Sequence, residues 1–372
     1  MAGFERYTRQ MILPEVGIEG QERLSQARVL CVGAGGLGSP VLLYLAAAGV
    51  GNIAIVDHDV VDISNLQRQI LYTTEDIGRP KVEIAKQRLT ALNPDVTITS
   101  YPEKLAAHNA ESIMANYDIV IDGTDNFPTR FLVNDACVRL GKPLVYGSIL
   151  KFDGQVSLFD STHGPCYRCL FPELPGPDAA PNCAEAGVLG ILPGIIGSLQ
   201  ATETLKWILK TGDSLSGRVM TLNALTMQTR TFTLQKDPNC PTCSTNARQN
   251  QKPLCDYIME RNCTMSDPLE MSVEELKARL DSGEQLIIID VREPGEHEIC
   301  KIPGAKLIPL GTIPDHVESL NRNCLTIFHC HHGRRSRRAV DFLCEHGFTN
   351  VRNLTGGIHE WAECVDPSMT RY

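Results

Sequence analysis

The chain has 372 residues, 42% of them hydrophobic, enough for two ordinary domains each burying its own core, which excludes a single small module. A formal net charge of −9 with no sustained basic stripe speaks against direct nucleic-acid binding. No stretch approaches the roughly 18 apolar residues of a membrane span, and the start MAGFERYTRQ is too polar for a secretory signal, so a cytoplasmic protein is expected whose 14 cysteines serve as metal ligands, reactive thiols or small core residues.

From residue 28 onward the pattern alternates. RVLCVGA (28–34) predicts a strand, PVLLYLAAAG (40–49) a helix, NIAIVD (52–57) a strand, residues 80–92 a helix, and DIVIDGTDN (118–126) a buried strand with a polar end. GILPGIIGSLQATETLKWILK (190–210) predicts a further helix and GRVMTLNALTMQTRTFTL (217–234) one strand, completing a parallel sheet with covering helices. The polar stretch that follows has no clear period up to about Lys252; a linker is placed at 246–267, between domains spanning 1–245 and 268–372. MSVEELKARLDSG then opens with Ser272 and carries Glu275 three residues on, a helix start, and QLIIIDVRE follows as a buried strand. A second α/β unit begins here.

Between the first strand and helix, Gly33, Gly35 and Gly38 form G-x-G-x-x-G, which lets the backbone approach phosphate while a helix N-terminus faces it. Asp57 ends the next strand, where a carboxylate can take ribose hydroxyls. These two features alone would fit NAD. The residues that follow suit ATP: Asn65, Arg68 and Gln69 come in close succession, Lys81 opens a helix, and Asp122 and Asp125 stand at a strand's carboxyl end, where a carboxylate can hold Mg²⁺. Taken singly, Arg68 and Lys81 also read as surface ion pairs and Asp125 as a turn cap.

Together, in this order, they resemble the MoeB/ThiF family and the adenylation domains of ubiquitin-activating enzymes, over roughly residues 5–245. The resemblance implies a Rossmann-like domain that adenylates the C-terminal glycine of a small ubiquitin-like sulfur-carrier protein and releases pyrophosphate. By motif match, Gly36 and Asp57 bind adenosine, Asn65 and Arg68 contact phosphates, Lys81 stabilises the α-phosphate and Asp125 holds Mg²⁺. The matched nucleotide contacts include Ser64, Leu66, Gln67 and Asn126. Arg9 matches an arginine that reaches into a neighbouring subunit's site, which implies a homodimer.

CYRC (Cys166, Cys169) and CPTC (Cys240, Cys243) are two C-x-x-C knuckles able to build one closed, structural Zn²⁺ site. Two redox motifs are the alternative, but neither pair opens a helix after a strand. Cys183 lies in the Pro/Ala-rich PDAAPNCAEAGVLG, a crossover loop by composition. In the family, a cysteine matching this position attacks the carrier's activated terminus or resolves its disulfide.

Cys330 follows the apolar run CLTIF and starts CHHGRR, a six-residue loop before the amphipathic helix SRRAVDFLCEHG. Loop N–H groups, the helix N-terminus and the arginines would all stabilise a thiolate or persulfide anion. A buried core cysteine fits poorly, since so much charge would be desolvated beside it. Cys324, Cys344 and Cys364 lack this setting and are expected to be structural. The loop, with Asp290, Arg292 and Glu293 upstream and LTGGIHEW downstream, resembles the rhodanese domain over roughly residues 268–365. That implies a persulfide on Cys330 drawn from thiosulfate, a cysteine desulfurase or another donor, with Arg334 and Arg335 orienting it.

The two resemblances imply a fused adenylyltransferase/sulfurtransferase that makes a thiocarboxylate on a carrier ending in Gly-Gly, using ATP, Mg²⁺ and Zn²⁺. Molybdopterin, thiolated tRNA, thiamin, cysteine and siderophore synthesis all remain open, because the carrier decides the pathway. Two rivals are an NAD-dependent oxidoreductase with a rhodanese module and a non-catalytic scaffold in a sulfur relay.

Overall fold

The computed structural model describes residues 4–175, 187–250, 253–257, 268–322 and 324–371, which form two compact units, 4–257 and 268–371. In the first, strands β1 (Arg28–Val32), β2 (Asn52–Val56), β3 (Thr97–Tyr101), β4 (Ile119–Asp122), β5 (Leu144–Leu150), β6 (Asp153–Phe159), β7 (Arg218–Asn223) and β8 (Gln228–Thr233) make one sheet. Its order is β3-β2-β1-β4-β5-β6-β7-β8. Neighbours from β3 to β5 are parallel and those from β5 to β8 antiparallel.

On β1, Val29 and Cys31 join one apolar cluster with Ile53, Ile55, Ile119 and Ile121, while Leu30 and Val32 join another with Ala54, Val56 and Val120. A strand covered on both faces must be apolar on both, which is why it reads as a continuous run. Helices α1 (Gly38–Ala48), α2 (Lys81–Leu92) and α4 (Leu192–Leu209) cover the first face; α3 (Phe127–Leu140) covers the second.

The single strand expected over 217–234 is instead the hairpin β7–β8. Asn223 Oδ1 accepts from the Leu225 and Thr226 N–H groups, each at 3.1 Å, and Met227 takes a φ of 55°, so a side-chain-capped turn reverses the chain.

The second unit holds β9 (Glu270–Met271), β10 (Ile287–Asp290), β11 (Lys306–Leu307), β12 (Thr326–His329) and β13 (Val351–Leu354) in a parallel sheet of order β11-β10-β12-β13-β9. Helices α5 (Val273–Asp281), α6 (Pro294–Ile299), α7 (Arg334–Glu345) and α8 (Gly357–Cys364) accompany it. Ser272 caps α5 as expected, its Oγ accepting from the Glu275 N–H at 3.2 Å. Among the described residues no helix is long and apolar enough to cross a membrane.

Candidate functional site

Strand order in the first sheet reverses around β1, which leaves a crevice at the carboxyl ends of β1 and β4. A cavity of about 480 Å³ lies there. Gly33, Gly35 and Gly36 after β1, Asp57 and Asp59 after β2, and Asp125 and Asn126 after β4 line it, with Arg68, Gln69, Lys81 and Tyr257. Gly33 takes a φ of 93°, and a Cβ there would lie 2.8 Å from Gly123 O, so the loops after β1 and β4 meet backbone to backbone. Gly38 is not part of the wall: a Cβ on it would lie 2.1 Å from Gly33 O, and its role is to let α1 start this close.

The charges are held in distinct ways. Asp57 is fixed at the lip by N–H groups of Ala34 and Asp59, at 2.8 and 2.9 Å. Lys81, only 4% exposed, reaches Asp59 Oδ2 at 2.9 Å. A buried ammonium needs such a partner, and sequence reasoning missed Asp59 although it lies two residues beyond Asp57. Ser64, Asn65, Leu66 and Gln67 do not line the cavity. They form the turn that places the next two residues, Asn65 O accepting from the Arg68 and Gln69 N–H groups at 3.1 and 2.9 Å.

Asp122 and Asp125 both stand at the carboxyl end of β4, as expected, but only Asp125 lines the cavity. Asp122 is buried and accepts from Thr124 N–H and Oγ–H at 2.9 and 2.6 Å; burial pushes its carboxyl up despite the Arg130 cation. Asp125 is exposed on the cavity wall, and Asn126 caps α3 through Thr129 N–H at 3.0 Å. Arg9 is exposed on the short helix Thr8–Met11 and outside this chain's cavity. Tyr257, from the stretch expected as linker, packs on Phe131 and donates to the Asp135 carboxylate.

The four knuckle cysteines meet. Cys166 Sγ lies 3.6 Å from Cys240 Sγ and Cys169 Sγ 3.4 Å from Cys243 Sγ, all four sulfurs being within 4.8 Å of one another. Tetrahedral Zn–S bonds of about 2.3 Å require sulfurs about 3.8 Å apart, so the set fits a zinc ion. Backbone N–H groups of Asp237 and Cys243 already point at Cys169 and Cys240 sulfurs, at 3.4 and 3.5 Å. Cys183 lies outside the described residues.

Cys330 follows β12 and is only 2% exposed, which corrects the expectation that charge would keep it out of a core. Carboxylates resolve the conflict. Arg335 makes two 2.6 Å contacts with Glu296, and Arg337 pairs with Glu270 and Asp341, each at 2.8 Å. The loop is also shorter than expected, because α7 begins at Arg334, making Arg334 and Arg335 its first turn. Gly333, at a φ of 90°, aims its N–H at Cys330 Sγ from 3.1 Å, and Ser336 Oγ lies at 3.5 Å. These donors suit a sulfur anion. Below the loop, Asp290 and Arg292 form a fully buried pair at 2.6 Å. Burial opposes the Asp290 anion, but Arg292, with His329 and His297, outweighs it and holds the carboxyl at about 2. Glu293 caps α6 in a reciprocal box with Glu296. Cys324 and Cys344 are half-buried and Cys364 is exposed.

Residues 7–242 match the ThiF family and residues 272–364 the rhodanese-like domain. The chain is 43% identical to the probable adenylyltransferase/sulfurtransferase MoeZ of Mycobacterium tuberculosis, across 99% of this chain and 95% of that protein. It is 55% identical to the sulfur carrier protein adenylyltransferase of Thermus thermophilus, across 68% of this chain and 94% of that one. Identity to the adenylyltransferase and sulfurtransferase MOCS3 of Arabidopsis thaliana is 38%, across 99% and 85%. The E. coli MccB structure with ATP shares the fold, with a TM-score of 0.57 and 22% identity over 65% of this chain and 75% of that one.

Proposed function

Because the chain belongs to the ThiF family and carries the rhodanese-like domain of the adenylyltransferase/sulfurtransferases, we propose that it acts in the cytoplasm and converts the C-terminal glycine of a small ubiquitin-like sulfur-carrier protein to a thiocarboxylate. The first domain is taken as 1–245 and the second as 268–372, with a connecting stretch between. The observation that carries the proposal is one chain holding both a cation- and carboxylate-lined switch-point cavity and a cysteine under a donor loop.

Adenylation brings a carboxylate against an α-phosphate, two anions that repel. Arg68 and Lys81 offset that repulsion as charge develops, Asp57 takes the ribose, and Asp125, a carboxylate on the cavity wall, would hold Mg²⁺, which would neutralise phosphate charge. Lys81 is held by Asp59 until phosphate competes for it. The carrier carboxylate attacks phosphorus and pyrophosphate leaves. Arg9 acts in the site of a second copy, so the active form is a homodimer. Zn²⁺ on Cys166, Cys169, Cys240 and Cys243 is structural, four thiolates closing its coordination.

Cys330 carries the sulfur as a persulfide supplied by thiosulfate or a cysteine desulfurase, its anion held by the Gly333 N–H. The terminal sulfur attacks the acyl-adenylate, AMP leaves, and an acyl disulfide joins carrier to Cys330. Cys183 thiolate then attacks the Cys330 sulfur, releasing the thiocarboxylate and leaving a Cys183–Cys330 disulfide that an external thiol reduces. The test is incubation with a Gly-Gly carrier, ATP and a sulfur donor, followed by intact mass. A carrier heavier by the difference between sulfur and oxygen is expected; no carrier-dependent pyrophosphate exchange would refute the adenylation step.

A further inference from the structure

Three imidazoles stand together beside Cys330. His331 and His332 follow it directly and His359 comes from α8. Their ring centroids lie 4.2 Å (His331 to His332), 4.7 Å (His332 to His359) and 5.6 Å (His331 to His359) apart. One nitrogen from each lies within 4.8 Å of the other two.

The backbone makes this approach. Ile358 N–H donates to Cys330 O at 2.9 Å and His359 N–H to His331 O at 3.0 Å. A Cβ on Gly357 would lie 2.5 Å from both of those carbonyl oxygens. Loop and helix therefore touch at a position without a side chain, and His359 is delivered onto the His331–His332 pair.

We propose that His331, His332 and His359 bind a divalent transition-metal ion of the zinc class, at a site separate from the four-cysteine cluster. Imidazole nitrogens suit Zn²⁺, and three protein ligands leave a coordination position open for water or an anion. Tetrahedral nitrogens at Zn–N bonds of about 2.0–2.1 Å sit roughly 3.4 Å apart, so nitrogens within 4.8 Å of one another need to close by about 1.4 Å at most. His332 and His359 are half-buried, at the open side of the cluster from the buried His331. Arg334 and Arg335 oppose a cation here, but Arg335 is paired with Glu296, and Glu363, shared with Arg371, lies 3.6 Å from His359 Nε2.

The test uses the full-length chain, free of any affinity tag and with its four-cysteine cluster loaded with one Zn²⁺, titrated separately with Zn²⁺ and Co²⁺ at neutral pH. A second equivalent per chain is expected, and bound Co²⁺ should show tetrahedral ligand-field bands without a thiolate-to-cobalt charge-transfer band. His332→Ala/His359→Ala should lose that equivalent and keep the first. One equivalent only in the unaltered chain, a second equivalent that survives the double substitution, or a thiolate band on Co²⁺ would each overturn the proposal. If the double variant fails to fold, the stoichiometry and cobalt spectrum of the unaltered chain, with His359→Asn as a milder substitution, still decide.

Discussion

In the switch-point cavity Asp125 and Arg68 stand on the wall of an open space and Lys81 is paired with Asp59, whereas around Cys330 two arginines are tied to three carboxylates and the thiol is buried. The difference matches what the proposed function asks each place to stabilise. A polyphosphate brings its own negative charge and several oxygens, so the half-buried Arg68 can wait for it partly in water at little cost, while the buried Lys81 is kept on Asp59. A sulfur anion on a buried side chain is one diffuse charge, and a fixed backbone N–H such as that of Gly333 serves it without a second desolvated ion. Arginines there organise the loop more than they neutralise it.

The largest effect should come from Cys330→Ala, which is expected to reduce thiosulfate sulfurtransfer and carrier thiocarboxylation to background while carrier-dependent ATP–pyrophosphate exchange persists. Loss of exchange as well, in a folded protein, would break the separation between the two places. Next, stripping metal from the four-cysteine cluster, or Cys240→Ser, removes binding energy that for such sites reaches about 10 kcal/mol or more, so the first unit should lose its cooperative calorimetric transition while that of the second remains. A preserved first transition in metal-free protein would show that the cluster needs no ion.

Asp125→Ala or Lys81→Ala should lower pyrophosphate exchange by about 10²–10³-fold, the usual cost of one preorganised charge in a transition state, and leave sulfurtransfer intact. Comparable losses from Arg335→Ala in sulfurtransfer would contradict the contrast drawn between the two sets of cations. Asp290→Asn strands a buried guanidinium and should destabilise the second unit by about 3–5 kcal/mol in denaturant titration. The same carboxyl sets an acid limit. Held at about 2 by Arg292, His329 and His297, below its ordinary 3.8, it contributes about 2 kcal/mol that is fully present above pH 4 and lost as pH falls towards 2. Asp290→Asn should flatten that part of the second unit's acid-unfolding curve. The smallest effect is reserved for Arg335 and Glu296, a partly exposed bidentate pair whose double-mutant coupling should be about 1 kcal/mol, read from the second unit's denaturation midpoint.

Local chemistry in the sequence determined a good deal of this. The glycines from Gly33 to Gly38, the apolar run of β1, Ser272 as a helix cap and Cys330 after a strand are all set by neighbours a few residues away, and periodicity reports such relations directly. The β7–β8 hairpin was not legible, because its turn lacks glycine and depends on Asn223 capping two N–H groups. Only the tertiary structure decided which charged groups face a ligand and which face each other. Asp122 and Asp125, three residues apart, part into a buried carboxyl and an exposed one, since a strand end buries one side chain while the following turn frees the next. Cys166 and Cys240 meet across 74 residues, Lys81 finds Asp59, Arg335 finds Glu296, and His359 arrives beside His331. Those pairings arise from which strands become neighbours in the sheets, a long-range consequence of burying apolar surface that no spacing along the chain encodes.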